Sequence, residues 1–404
     1  MNIRMSEAPE ILAPLDDDPV LFAFQGPHGR VQGRGAPVQV PRGDADTVAA
    51  RVGQALSGAL PGAMIGGALP FDRTQADCLW LCNRAAPQPA AAARPAAAVP
   101  GAEQRPDWRL TAEPEPAAYA RAVARALAIM QDEAGRAGAL EKIVLARSLR
   151  AETGTPIAVE ALMERLAQDA SVTAFRVALP PRGRQTRQLC GATPELLLSK
   201  AGALIASHPL AGSARRLADP EADRAAAQVL ARSDKDQREH ALVVESILDV
   251  LSPWCRSLSA PEGTQLTTTR SMWHLGTRIE GMLKDPEMPS VVLAALLHPT
   301  PAVCGVPMAR ANALIHDLEP VPRDFYAGAV GWCDARGDGA WYVAIRCAEI
   351  AGATARLYAG AGIVPGSDPM AEAAETGAKF GAFLAALGLP PDAGLAGLAP
   401  NEVE

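Results

Sequence analysis

Short apolar runs, bounded by Gly, Pro and polar residues, recur along most of this chain and predict strands. They are VLFAFQG (20–26), AMIGGALPF (63–71), KIVLARSL (142–149), TAFRVAL (173–179), RQLCGAT (187–193) and ALIASHPL (203–210). WHLGTRIEG (273–281), GAVGWCD (328–334), WYVAIRCAEI (341–350) and ATARLYAGAGIV (353–364) follow. Between them the pattern shifts to helical spacing. One helix is predicted from Pro116 to about Ala134, with Gly135 and Gly138 as stop signals. A long one is predicted from Pro220 to Leu251, with an apolar stripe in HALVVESILDVL. The last is predicted to start at Asp368, a capping residue followed by Pro369, and to stop at Gly388. Strands in succession with long helices between them predict an α/β (α+β) protein with large sheets flanked by helices.

One stretch breaks the pattern. Residues 84–107 are almost entirely Ala, Pro and Arg, with little to bury, and read as a surface linker or loop. It sets off an N-terminal segment, 1–83, with too little core to stand alone, which is expected to pack on the main domain, 108–404. The full chain has 404 residues, long enough for two or three domains at roughly 150 residues each.

Charge narrows the function. Lys and Arg total 38 against 45 Asp and Glu, a formal charge of −7. A nucleic-acid binder or a polybasic membrane-surface protein needs a basic surplus, so neither partner is expected. No apolar stretch approaches the ~20 residues of a membrane span, and the first residues are polar and acidic where a signal peptide needs an apolar core. A cytoplasmic location is expected. Seven cysteines without paired spacing read as free core thiols.

Three constellations could carry chemistry. Asp236 and Glu239 lie three apart on the long helix, as do Glu372 and Glu375 on the last one, so each pair shares a helix face. Two such faces brought together would suit a hard divalent cation, whereas each alone is an ordinary solvated surface. RLYAGAGIVPGSDP offers Gly360, Gly362 and Gly366 between a strand and a helix start, and HPLAGSARR offers Gly212 and Ser213 before two arginines. Both could let an anion approach the backbone, or be plain tight turns. Finally, Lys142, Glu195 and Arg346 are single polar residues in or beside apolar strands, where snorkelling to the surface is the commoner outcome. His240 reads as a core histidine or one supporting a neighbour. No P-loop, nucleophile elbow or HExxH site is present.

Together, KIVLARS, GATPELLL, PLAGSARR, DKDQREHALV, WHLGT, LHPTPAVCGVP, RDFYAGAVGW, VAIRCAEI and GAGIVPGSDPMAEAAETGAK, in this order, resemble the chorismate-utilising enzymes. That family includes isochorismate synthase, salicylate synthase and the large subunits of anthranilate and aminodeoxychorismate synthase. The resemblance covers about 115 to 388 and is strongest to the isochorismate synthases of siderophore pathways. It implies one large fold of extended, mostly antiparallel sheets, with Mg²⁺ as cofactor and chorismate as substrate. It implies that Lys142 is the base for an attacking water and Glu195 the acid for a leaving hydroxyl. It implies that Glu239 and Glu375 hold the metal, with Asp236 and Glu372 in support. The family position of Asp236 is often Glu, so its contact is less fixed. Arg346 and Tyr326 would take the enolpyruvyl carboxylate. Gly212, Ser213, His274, Gly360, Gly362 and Lys379 would line the ring site.

Specificity rests on few positions. Lys142 argues for water as the nucleophile and against the ammonia-using anthranilate synthases. Ala211 argues against the aminodeoxychorismate enzymes, which carry lysine there. Ala302 stands where salicylate synthases tend to carry threonine. Tyr326 stands where several isochorismate synthases have Phe, and tyrosine occurs in salicylate synthases. A bifunctional salicylate synthase therefore stays open as an alternative, as does a catalytically inactive chorismate-binding relative. No obligatory glutaminase subunit is expected, and a monomer is. The product would feed siderophore or salicylate biosynthesis.

Overall fold

Among the described residues, seventeen strands join through antiparallel pairings into one continuous path, and three more form a small separate sheet. The computed structural model describes residues 19–27, 29–60, 62–84 and 107–397; apart from its two ends, the expected Ala/Pro loop at 84–107 lies outside them. Arg109–Glu113 and Gly305–Val306 share one edge of strand Lys142–Glu152, whose other edge pairs with Thr354–Ile363 over ten residues. The path passes on through Cys347–Ala351, Gln185–Thr193 and Thr173–Arg182 to Val20–Gly26. The N-terminal strands therefore lie in the middle of the path. Gly29–Gln39, Cys78–Arg84 and Ala63–Leu69 lead on to Ala329–Asp334. Gly339–Val343, Leu196–Ala201, Leu204–His208, Ile279–Leu283 and Cys255–Ser259 complete it. The small sheet sets Leu210–Arg215 and Thr264–Thr268 on either side of Met272–Thr277.

The apolar faces of these strands build two cores. The larger one holds Phe22, Ile65, Ile143, Phe175, Leu198 and the fully buried Trp341. The smaller one lies beneath the last helix, Pro369–Leu387, and takes Phe380, Phe383 and Leu384 from it. Each such side chain contributes roughly 1.5–3 kcal/mol when taken out of water, so this helix is anchored by its C-terminal half. Its start is fixed as its sequence predicts. Asp368 accepts a hydrogen bond from Ala371 N at 2.7 Å, Pro369 occupies the first turn, and Gly388 closes the other end. The helix Pro116–Glu133 also forms where expected. The seven cysteines are buried and free. No described helix is long and apolar enough to cross a membrane.

Four expectations need correction, and each bears on the site. The helix expected to run unbroken from Pro220 to Leu251 is two helices, Pro220–Arg232 and Asp234–Leu251. Ser233 sits between them in extended conformation, and its hydroxyl accepts from Asp236 N at 3.2 Å. A serine N-cap satisfies donors that a continuous helix would have used otherwise, so the chain can turn here. The strand expected at 341–350 ends at Val343 and resumes at Cys347, because Arg346 takes a left-handed φ of 51°. The runs 203–210 and 273–281 also split, at Pro209 and at Arg278.

Candidate active site

The break at Ser233 sets the direction of helix Asp234–Leu251, whose first turns carry Asp236 and Glu239 on one face. Helix Pro369–Leu387 carries Glu372 and Glu375 in the same way. Both faces open onto one cavity of about 810 Å³, counting its solvent-open mouth. Glu195, Gly212, Ser213, His274, Ala302, Tyr326, Arg346, Gly360, Gly362 and Lys379 line it too, beside Asp236, Glu239, Glu372 and Glu375. Lys142 is not on the wall. It is fully buried behind it, with Nζ 3.1 Å from Glu239 Oε1 and no directed hydrogen bond.

The acidic half is crowded. Burial, then the charges of Glu239 and Glu375, push the Asp236 carboxyl above its usual range. Burial and the Glu375 charge do the same to Glu372, which pairs with Lys235 at 2.8 Å. Burial also works against ionisation of Glu375. Lys379 at 2.6 Å and the Ser213 hydroxyl at 2.9 Å outweigh it and hold this carboxyl below its usual range. Two glycines make room for the acids. Gly212, at a left-handed φ of 74°, leaves the space where a Cβ would press on Asp236 at 3.0 Å, and a Cβ on Gly362 would collide with the Glu239 carboxylate. Among the described residues no three Asp, Glu, His or Cys side chains converge into a closed metal cluster. Crowded carboxylates in a glycine cradle nonetheless fit a cation that takes one or two carboxylates and keeps other positions open.

The opposite chemistry comes from interrupted strands. Glu195 follows Pro194 in the turn between strands Gln185–Thr193 and Leu196–Ala201. It is 3 % exposed, and burial raises its carboxyl to about 8, against a backbone hydrogen bond from Leu210 and the charge of Lys142. A carboxylic acid held neutral near pH 7 can give a proton. Arg346 projects from its strand break into the cavity. A non-glycine residue at positive φ costs about 1–3 kcal/mol and persists where its surroundings enforce it. Tyr326 stacks on Tyr358, with centroids 4.8 Å apart. A Cβ on Gly360 would meet the Tyr326 hydroxyl at 3.0 Å, and the Gly360 carbonyl accepts from Lys379 Nζ at 2.9 Å.

Two histidines differ in place. His274 pairs across the small sheet with Ser213 and lines the cavity. Burial, then Arg346 and Lys379, keep its imidazole neutral, and its Nε2 has no protein partner among the described residues. His240 faces the core, with Nε2 2.7 Å from the Thr277 hydroxyl, and burial lowers it to about 4.

Lys235 and Tyr358 also stand on the wall, and sequence reasoning missed both. Lys235 sits between two aspartates at a helix start, and Tyr358 lies just before the glycine run, so position alone could have marked them.

Comparison with known proteins identifies the family. A family model described as "Chorismate binding enzyme" matches residues 76–388. Isochorismate synthase DhbC of Bacillus subtilis is 39% identical over 385 residues, 92% of this chain and 94% of that protein. Isochorismate synthase EntC of Escherichia coli K12 is 43% identical over 277 residues, 68% of each chain. The crystal structure of DhbC from Bacillus anthracis superposes with a TM-score of 0.80 at 36% identity, covering 92% of this chain and 96% of that one. Ordered motifs, architecture and relatives thus converge: this chain belongs to the chorismate binding enzyme family.

Proposed function

We propose that the protein isomerises chorismate to isochorismate. The observation that carries this reading is a buried lysine just behind, and a neutral buried glutamic acid on, the wall of one cavity edged by four carboxylates. Lys142 accepts a proton from the water that adds at ring carbon 2. Glu195 gives its proton to the hydroxyl that leaves carbon 4, so one water enters and one departs. The relatives named isochorismate synthase support the same overall reaction.

Chorismate is a dianion, and both of its charges need partners. A Mg²⁺ held by Glu239 and Glu375, with Asp236 and Glu372 in support, would neutralise the ring carboxylate. Arg346 offers the enolpyruvyl carboxylate a planar fork, and the Tyr326 hydroxyl adds a donor. The backbones of Gly212, Ser213, Gly360 and Gly362 bound the ring, and the neutral imidazole of His274 flanks it. Lys379 holds Glu375 and the Gly360 carbonyl in register. Residues 1–83 and 108–404 act as one catalytic unit, supported by the central place of strands 20–84 in the sheet path. The protein works as a cytoplasmic monomer without a glutaminase subunit, and its product feeds siderophore or salicylate biosynthesis.

Tyr326 favours a second reading, in which pyruvate is eliminated and salicylate is released. One chromatographic assay separates the two. Purified protein with chorismate and Mg²⁺ is expected to form isochorismate with little salicylate. Salicylate as the main product would establish the second reading. Mg²⁺-dependent chorismate binding with no product would establish an inactive relative.

A further inference from the structure

Strand Lys142–Glu152 lacks a neighbour midway along one edge. At its start the backbone pairs with Gly305–Val306, and Val144 N donates to Cys304 O at 2.8 Å. From Ser148 onward strand Arg109–Glu113 takes over. Between these partners Val144 O and Ala146 N face no strand. A buried backbone group left unpaired costs about 1–3 kcal/mol.

Two side chains just beyond helix Met308–Leu318 fill the gap. Ala146 N donates to Glu319 Oε1 at 2.7 Å, and Arg323 Nη2 donates to Val144 O at 2.7 Å. Arg323 Nε donates to Glu319 Oε2 at 2.8 Å, and Nη1 donates to Val303 O at 2.7 Å. The two side chains are only 3 % and 6 % exposed. Arg323 is also fixed from the side. Its guanidinium lies 4.3 Å from the Phe71 ring centroid and 5.9 Å from that of Tyr326. The pair therefore imitates a missing strand. It ties the strand that begins at Lys142 to the Ala302–Val303 edge of the cavity.

We propose that Arg323 and Glu319 are positioning residues for the reaction, acting through strand Lys142–Glu152 to hold the general base at its working depth. The inference rests on the reading of Lys142 as that base. A catalytic group displaced by about 1 Å can lose 10²-fold in rate. Arg323→Lys keeps the charge but cannot reach Val144 O, Val303 O and Glu319 at once. Glu319→Gln keeps an oxygen for Ala146 N but removes the ion pair and the acceptor for Arg323 Nε.

The test is steady-state kinetics on folded Arg323→Lys and Glu319→Gln protein with chorismate and Mg²⁺, beside a thermal melt. Arg323→Lys is expected to lower kcat about 10- to 100-fold with KM within about twofold, because the carboxylate-binding residues are untouched. Glu319→Gln is expected to lower kcat less, about 3- to 10-fold, again with KM unchanged. A lower melting temperature with kcat intact in both variants would overturn the proposal and leave a purely structural pair. A raised KM with kcat intact would also overturn it, since the pair would then act through Tyr326. Lys142→Ala in the same assay separates the two readings: near-normal turnover there removes the base assignment itself.

Discussion

The helix-borne acids and the strand-borne Arg346 and Glu195 reach one cavity by opposite means. Asp236, Glu239, Glu372 and Glu375 arrive through regularity: three-residue spacing on two capped helices places each pair on one face. Arg346 and Glu195 arrive through interruption. One sits at a left-handed break between two strands, the other in a turn after a proline. Regular elements gather like charges, which add to burial in raising Asp236 and Glu372, while Lys379 and Ser213 hold Glu375 down. Broken elements isolate single groups in low dielectric, where burial raises Glu195 with no like charge beside it. One half of the cavity therefore gathers carboxylates, and the other presents a neutral carboxylic acid and a guanidinium.

Perturbing each half should give a different signature. The largest effect is expected at the hidden link between them. Lys142→Ala should lower kcat by about 10²–10⁴-fold, the range for a lost general base, with KM little changed in steady-state assays. Glu239→Gln and Glu375→Gln should each lower kcat/KM by roughly 10³-fold, several kcal/mol of lost charge stabilisation. Both should also weaken Mg²⁺ binding measured calorimetrically. Unchanged Mg²⁺ affinity in both would remove the helix faces from the metal site.

The strand side should respond to pH. Glu195 is competent while protonated, so kcat/KM should hold below about 8 and fall about tenfold per unit above it. The sign for stability agrees. The buried carboxyl is neutral in the folded state and ionises near ~4.3 when unfolded, so rising pH favours unfolding between that value and about 8. Glu195→Gln should flatten the pH dependence of stability in thermal melts. The smallest effect belongs to Arg346→Lys, which keeps charge but loses the fork. KM should rise about tenfold, the worth of one charge-assisted hydrogen bond, with kcat within a few-fold.

The same contrast governs what could be read from sequence. The last helix was legible because Asp368, Pro369 and Gly388 are local signals, and the two acidic pairs because spacing alone puts them on one face. The Ser233 break was not. Its serine lies inside a strongly helical stretch, and its capping role shows only in its extended backbone and its bond from Asp236 N. The Arg346 break was hidden for a similar reason. WYVAIRCAEI is apolar throughout except for the arginine and glutamate, and only pairing with two different neighbours shows that it is two strands. Arg323 and Glu319 carry no sequence signal, since nothing local says that a strand edge 173 residues from Glu319 lacks a partner. The ordered motifs named the residues well before any argument from spacing could say how they meet.

The central claim is that water is delivered to one ring carbon while a hydroxyl leaves another. Turnover of chorismate with Mg²⁺ in ¹⁸O-enriched water, followed by mass spectrometry of the product, tests it most directly. Isochorismate carrying one ¹⁸O at ring carbon 2 is the expected product. Isochorismate without the label would mean that the hydroxyl migrates within the substrate, and would contradict Lys142 as the base and Glu195 as the acid.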